Sequence, residues 1–445
     1  MLHIAIVGSG PAGYYTAEAV QKAFGDGVRI DILDRLPTPF GLIRSGVAPD
    51  HQSLKAVSKR YEKTALTEEV RFIGNLEVGE GGVSITELLS LYDGVILATG
   101  APADRDLPIP GADLPGVLGS ARFVGWYNGH PDFAGLEPPL GGETAIVVGN
   151  GNVAIDCARI LAKTEEELAN SDIAEHAAEL LADSRIRTIR ILGRRGPHQV
   201  SFTPKELGEM GRLERARAVA DPVDFPPESA DEELDPGLRK VVGFLREFAA
   251  GEAEGEGADK PLTVHFDFFT RPVELLGEDR LEEVTLERTR LDENGRAEGT
   301  GEFERVPCGL LVSAIGYRTT PIDGVPYDER AGRFDNEDGR ISPGLYCVGW
   351  ARRGPTGTIG TNKPDGYHIA DLLQADLTPS GKAGRDGLDR LVEERGYDIV
   401  RFTEWQNIDS AEVARARVGA PREKFVHIDD MLDAARTGSP SEPSA

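Results

Sequence analysis

His3-Ile4-Ala5-Ile6-Val7-Gly8-Ser9-Gly10-Pro11-Ala12-Gly13-Tyr14 passes from an apolar run, through a glycine turn, into a helical pattern that continues to Phe24. The apolar run reads as a buried strand, and each glycine after it has its own task. Gly8 permits the tight strand-to-helix turn, Gly10 lets a pyrophosphate approach the backbone, and Gly13 lets the helix pack close on its strand. The helix start then offers free N–H groups and a partial positive charge to phosphate. A second apolar run, 28–33, ends in Asp34, where an acid can hold a ribose hydroxyl. These residues specify a dinucleotide site and leave open which dinucleotide it takes.

The same pattern returns 141 residues later, counting from Gly8 to Gly149. Thr144-Ala-Ile-Val-Val-Gly149-Asn150-Gly151-Asn152-Val153-Ala154 is again strand, glycine turn and helix, with Ala154 in the third glycine's place. Two fingerprints imply two dinucleotide sites. The second unit's next strand, 186–192, runs into Gly193-Arg194-Arg195-Gly196, with no acid at the ribose position. Paired guanidinium donors suit a 2′-phosphate, so this site favours NADP(H) over NAD(H).

Between the fingerprints, residues 35–50 form a loop rich in proline and glycine that is nonetheless apolar (Phe40, Leu42, Ile43, Val47). Such a loop is expected to lie against something flat, such as a bound cofactor, with Asp50 capping a helix over 51–65. Residues 92–100 read as a buried parallel strand ending at Gly100. The stretch 306–316 echoes it. Residues 344–350 form a further strand, followed by small residues that open a helix near Asp365. The expected architecture is α/β, with two Rossmann-like dinucleotide-binding domains and the second, NADP-binding domain inserted into the first. The expected bounds are 1–104 and 331–445 for the first domain, including a C-terminal helical segment, and 105–330 for the second. Residues 436–445 are expected to be disordered.

A chain of 445 residues is too long for one ordinary core, and 40% hydrophobic with 28% charged residues is a globular composition. A formal net charge of −26 argues against a nucleic-acid partner. No apolar run approaches a membrane span, and no secretory signal is read at the start, so a cytoplasmic location is expected. The three cysteines, Cys157, Cys308 and Cys347, form no CxxC pair. That excludes a redox disulfide of adjacent residues and any zinc or iron–sulfur site built by local spacing, so no metal is expected. Within an acidic stretch from 221 to 260, the helix expected over 236–250 carries Arg239, Lys240 and Arg246, a local basic exception.

Four strings go beyond generic dinucleotide logic. They are Pro37-x-Pro39-Phe40-Gly41-Leu42-x-Arg44-x-Gly46-Val47-Ala48-Pro49-Asp50-His51, Gly149-Asn-Gly-Asn-Val-Ala154-x-Asp156, Gly193-Arg-Arg-Gly-Pro197 with Phe202-Thr203 and Glu206-Leu207, and Gly349-Trp350 with Gly354-Pro355-x-Gly357-x-Ile359-Gly360. Together they resemble the adrenodoxin reductase family of ferredoxin–NADP reductases, in its bacterial branch. The resemblance implies a glutathione-reductase-like fold without the dimerisation domain, with FAD in the first domain and NADP in the second. It implies hydride transfer from NADPH to flavin, then single electrons to a [2Fe–2S] ferredoxin that serves a cytochrome P450 or similar acceptor. By matching positions, Gly8, Gly10, Ala12, Gly13, Asp34, Leu42, Leu76, Trp350, Gly357, Thr358 and Ile359 would hold FAD. Arg105, Asn150, Gly151, Asn152, Val153, Arg194, Arg195 and Glu206 would hold NADP. His51 and Glu209 match polar residues near the flavin–nicotinamide contact and are the candidate catalytic residues. Ferredoxins of this kind are acidic, so Arg239, Lys240 and Arg246 are the candidate docking cations. The same two nucleotides would also serve another NADPH-dependent flavoprotein, monooxygenase-like, or a non-catalytic NADP(H)-sensing flavoprotein.

Overall fold

A computed structural model describes residues 1–255 and 257–437. The chain divides into two compact units. The first comprises residues 1–103, 128–131 and 316–445, and the second comprises 104–127 and 132–315.

The first unit is built on a seven-stranded sheet whose order is Arg340–Ser342, Leu345–Cys347, Gly94–Leu97, Leu2–Val7, Val28–Leu33, Val70–Gly74, Val400–Arg401. Its five inner strands run parallel, and the two edge strands are antiparallel. Inner strands buried on both faces explain the continuous apolar runs, such as Val-Ile-Leu at 95–97. From Leu2–Val7 the chain winds outward through two neighbours, then returns to the other side with Gly94–Leu97. That reversal places a crevice beyond the carboxyl end of Leu2–Val7, at Gly8.

The 35–50 loop is more buried than a cofactor platform requires. Phe40 and Ile43 are buried, and the Phe40 ring packs on Tyr14, Tyr61, Phe402 and Trp405 at centroid distances of 5.5, 6.1, 6.4 and 5.0 Å. Much of the loop's apolar character therefore serves an aromatic cluster shared with the C-terminal helix Phe402–Ala414. A buried ion pair joins the same two segments. Arg44 donates to Glu412 through both terminal nitrogens, at 2.8 and 2.5 Å, and Phe425 N–H donates to the same carboxylate at 3.0 Å. Burial pushes the Glu412 pKa up, but Arg44, Arg422 and the Phe425 amide outweigh it and hold the carboxyl below its usual range.

Three local expectations change. The 51–65 helix is two helices, Gln52–Lys55 and Ser58–Ala65, and His51 rather than Asp50 stands at the first N-cap, without a side-chain capping bond. The chain rejoins the first unit at Gly316, not at 331. Thr319 donates to Gly100 O at 2.7 Å, and Val325 and Phe334 bury beneath the first sheet. The expected disorder over 436–445 is wrong for Arg436 and Thr437, which finish the helix Ile428–Thr437, with Arg436 paired to Glu404 and to Asp398. The rest of that stretch lies outside the described residues.

The second unit has a six-stranded parallel sheet in the order Val117–Gly119, Leu310–Ser313, Thr144–Val148, Thr188–Leu192, Leu262–Asp267, Ala216–Ala220. The reversal falls between Thr144–Val148 and Leu310–Ser313, which puts its crevice at Gly149. A three-stranded antiparallel sheet, Thr270–Leu276, Glu283–Leu291 and Ala297–Pro307, completes this unit.

Candidate functional site

In the first unit the fingerprint glycines are forced by contact. A Cβ on Gly8, whose φ is +112°, would lie 2.4 Å from Ala98 O, and one on Gly13 would lie 2.1 Å from Gly8 O. Gly10 is different: nothing lies within 4 Å of where its Cβ would be. The turn is closed toward the sheet and open on the side where a diphosphate would approach. Gly10 caps the helix Pro11–Phe24 with no side-chain bond. Three other helices are capped by a side chain, from Ser84, Thr164 and Asp235. The first-turn amides at the fingerprint are thus left for something other than a capping side chain.

Asp34 closes one side of this cradle. It accepts from Ser9 N–H at 3.0 Å, from the Ser9 hydroxyl, and from Leu36 N–H at 3.0 Å. A carboxylate has about four acceptor positions, so one remains for a ribose hydroxyl. Leu42, 43% exposed at the start of the short helix Leu42–Ser45, offers apolar surface. The Leu76 side chain is only 1% exposed and belongs to the core beneath the sheet, and its N–H donates to Asp34 O at 2.9 Å. His51 is buried.

The far end of the same site is built by residues 349–362. Gly349, at φ +65°, sits so close to the fingerprint helix that a Cβ would lie 2.6 Å from the Ala12 Cβ. Trp350 stacks on Tyr317 at 6.1 Å, and its indole N–H donates to Thr356 O at 3.0 Å. Gly357 and Thr358 are exposed and Ile359 half-buried, just ahead of the helix Asn362–Asp376. That helix also lacks a side-chain N-cap bond. It crosses the fingerprint helix at Gly366, where a Cβ would meet Tyr15 O at 2.7 Å.

Three contributors were not anticipated. Thr99 Oγ1 is buried without a partner just after Ala98, the residue that Gly8 touches. Its signal was the Ala98-Thr99-Gly100 ending of a buried strand, read above only as the end of that strand. Asn362 and Arg353 hold the 354–361 loop, and the string quoted above stopped at Gly360.

The second unit repeats the construction. A Cβ on Gly149, at φ +141°, would lie 2.4 Å from Ala314 O, while Gly151 has nothing within 4 Å and caps the helix Asn152–Ala162 without a side-chain bond. Asn150 Oδ1 is buried and unpartnered. Asn152 Oδ1 accepts from Thr203 N–H at 2.8 Å, and the Thr203 hydroxyl donates to Glu206. Val153 stands in the helix's first turn. Arg194 and Arg195 are exposed beyond Leu192, and among the described residues no acceptor engages either guanidinium. Glu209 lies on the helix Pro204–Met210 and pairs with the fully buried Arg159, which also binds Asp156 at 2.7 Å. Arg105 is half-buried in the segment that opens this unit.

The basic face expected on the helix Pro236–Glu254 is smaller than its sequence suggests. Arg246 is half-buried, paired with Asp231 at 2.7 Å and bonded to Pro226 O at 2.8 Å. Arg239 donates to the carbonyls of Asp231, Glu232 and Leu234 while staying exposed. These arginines neutralise and cap the acidic turn Glu228–Glu233, while Lys240 is exposed, its ammonium 5.9 Å from the centroid of the Phe244 ring. All three cysteines are buried thiols, and burial pushes Cys308 and Cys347 up to about 12.

Both cradles fit dinucleotides on their own geometry: an open glycine, an uncapped helix, and a ribose acid or a pair of unengaged arginines. Comparison with known proteins agrees. The pyridine nucleotide-disulphide oxidoreductase family matches residues 2–191. An NADPH-ferredoxin reductase FprA of Mycobacterium leprae is 42% identical, over 97% of this chain and 97% of its own. The mitochondrial NADPH:adrenodoxin oxidoreductase of Arabidopsis thaliana is 40% identical, over 98% of this chain and 95% of its own. The solved structure of Mycobacterium tuberculosis FprA in complex with NADPH superposes with a TM-score of 0.91 at 40% identity, covering 98% of this chain and 100% of that one. The chain belongs to the family of NADPH-ferredoxin and NADPH:adrenodoxin oxidoreductases.

Proposed function

We propose that this chain is an FAD-dependent NADPH:ferredoxin oxidoreductase, with FAD held by the first unit and NADP(H) by the second. It takes a hydride from NADPH and passes single electrons to a [2Fe–2S] ferredoxin, which serves a cytochrome P450 or similar acceptor. The observation that carries the assignment of ligands is the contrast at equivalent strand ends. One site finishes in a carboxylate, Asp34, and the other in two unengaged guanidinium groups, Arg194 and Arg195. A 2′-phosphate is repelled by the first and bound by the second.

Bound FAD supplies the switch between two-electron and one-electron chemistry. The protein's part is positioning. The fingerprint amides and Gly10 seat the FAD diphosphate, Asp34 holds its adenosine ribose, and Leu42, Trp350 and the 357–359 backbone meet the ring. Asn150 to Val153 seat the NADP diphosphate, Arg194 and Arg195 take the 2′-phosphate, and Glu206 and Arg105 complete that site. His51 orients the reacting groups or moves a proton at the flavin edge. Glu209, fixed by Arg159, offers an acceptor for an amide hydrogen of the nicotinamide. Arg239 and Lys240 serve as docking cations for an acidic ferredoxin. No helix among the described residues is long and apolar enough to cross a membrane, and the three reduced, buried thiols support a cytoplasmic setting.

The test is anaerobic titration of the purified protein with NADPH. Flavin absorbance bleached by one equivalent, followed by reduction of a [2Fe–2S] ferredoxin in stopped flow, is the expected result. Bleaching without onward electron transfer would leave the monooxygenase-like or sensing flavoprotein instead.

A further inference from the structure

One buried charge cluster has no role in the nucleotide contacts above. Asp365, in the first turn of the helix Asn362–Asp376, receives Arg352 at 3.0 Å and Arg353 on its other oxygen. The Asp365 side chain is 10% exposed and both arginine side chains 19%. Arg353 does more than pair. Its Nε donates to Thr356 O at 3.0 Å, the carbonyl that also receives the Trp350 indole, and one terminal nitrogen reaches Asn362 Oδ1 at 3.3 Å. Asn362 in turn donates to Ile359 O at 3.1 Å. One guanidinium therefore fastens both ends of the 354–361 loop to the helix behind it.

The charges are unbalanced. Two guanidinium groups face one buried carboxylate, and among the described residues the other acid paired with them is Asp338, 3.3 Å from Arg352 with a side chain 63% exposed. Burial and the neighbouring Arg352 lower the Arg353 pKa. A helix starting here would ordinarily gain from Asp365 alone, because a carboxylate complements the positive end of the dipole. The second arginine reverses that in the buried part of the cluster, where two guanidinium groups meet one carboxylate one turn behind the helix start and Asp338 lies at the exposed rim.

We infer that Arg353, with Arg352 and Asp365, is a positioning and potential-setting group for the flavin: it fixes the 356–359 backbone against the ring and raises the flavin reduction potential through the helix start. This rests on the reading of residues 349–362 as the flavin end of the FAD site. A positive charge in a low-dielectric setting favours the electron-rich reduced ring, and nothing else in the loop supplies a buried cation.

The experiment is spectroelectrochemical titration of the holoenzyme's bound flavin. Arg353→Gln should shift the two-electron equilibrium about tenfold toward oxidised flavin, roughly 30 mV more negative. Arg352→Gln removes the same charge while leaving the Thr356 and Asn362 bonds of Arg353 intact, and should shift in the same direction. Asp365→Asn should shift in the opposite direction. Arg353→Lys keeps the charge and loses the clasp, so its potential should stay within about threefold of wild type while FAD dissociates faster. Equal potentials in wild type, Arg352→Gln and Asp365→Asn overturn the proposal, as do shifts of one sign in both. A wild-type protein that binds no flavin at all overturns the underlying site reading as well, and the two failures are thereby distinct.

Discussion

The two fingerprints are built alike and finished differently. In both, the first glycine presses on the carbonyl of an alanine after the neighbouring strand, Ala98 for Gly8 and Ala314 for Gly149, at the same 2.4 Å for an added Cβ. In both, the second glycine faces open space. They part at the third position and at the ribose end. Gly13 sits where a Cβ would strike Gly8 O at 2.1 Å, whereas Ala154 already carries a Cβ in the corresponding helix. The first cradle also borrows its far wall from residues 349–362, close to Ala12. The common part makes a dinucleotide site, and the differences decide which dinucleotide and how tightly it is enclosed.

That contrast can be broken most severely at Gly13. Its contact is backbone on backbone, with no flexible atom to give way, so Gly13→Ala should cost on the order of 5 kcal/mol and yield protein without flavin. The mirror change, Ala154→Gly, should cost only about 1 kcal/mol. Thermal melting and flavin content check both, and similar losses at the two positions would show that the helices pack alike after all.

The next effect concerns the tie that only the first cradle has. Glu412→Ala should destabilise by about 3–5 kcal/mol, since it leaves Arg44 buried without its partner. The sign with pH follows from the lowered Glu412 pKa. Its contribution is complete above the unfolded carboxylate range, about 4.3, and disappears as pH falls through the lower folded value. Denaturant melts of wild type and variant should therefore differ at pH 7 and converge toward pH 2.

At the second cradle, Arg194→Ala with Arg195→Ala should lower kcat/KM for NADPH by about 100-fold, two charge-assisted bonds' worth, and leave NADH within about threefold. Steady-state dye reduction measures this, and retained NADPH preference would remove the 2′-phosphate assignment. The smallest effect belongs to docking: Lys240→Glu should raise the KM for ferredoxin about threefold with dye reduction unchanged. An unaltered ferredoxin KM would exclude Lys240 from the interface.

The sequence reading found both switch-point turns because glycine there answers a local demand, a positive φ and a missing Cβ, that any window shows. Asp34 and the Arg194-Arg195 pair were legible for the same reason, standing a fixed distance beyond a strand. What escaped depends on long-range contacts. The burial of Phe40 requires Phe402 and Trp405, more than 360 residues away. Arg246 read as a free cation because Asp231, fifteen positions earlier, lies on a separate turn. The return at Gly316 depends on which side of a sheet the chain passes, which no local pattern encodes.

The pair between Arg44 and Glu412 also bears on the order in which the molecule can be finished during synthesis. The ribosome delivers the first fingerprint ahead of the second, yet its sheet neighbour Leu345–Cys347, its wall at 349–362 and the acid that holds Arg44 follow both. The second unit, confined to 104–127 and 132–315, is complete in between. The unit that holds the first fingerprint is thus closed only after the second is complete, and a truncated product ending before Glu412 can contain an intact second cradle while lacking the means to close the first.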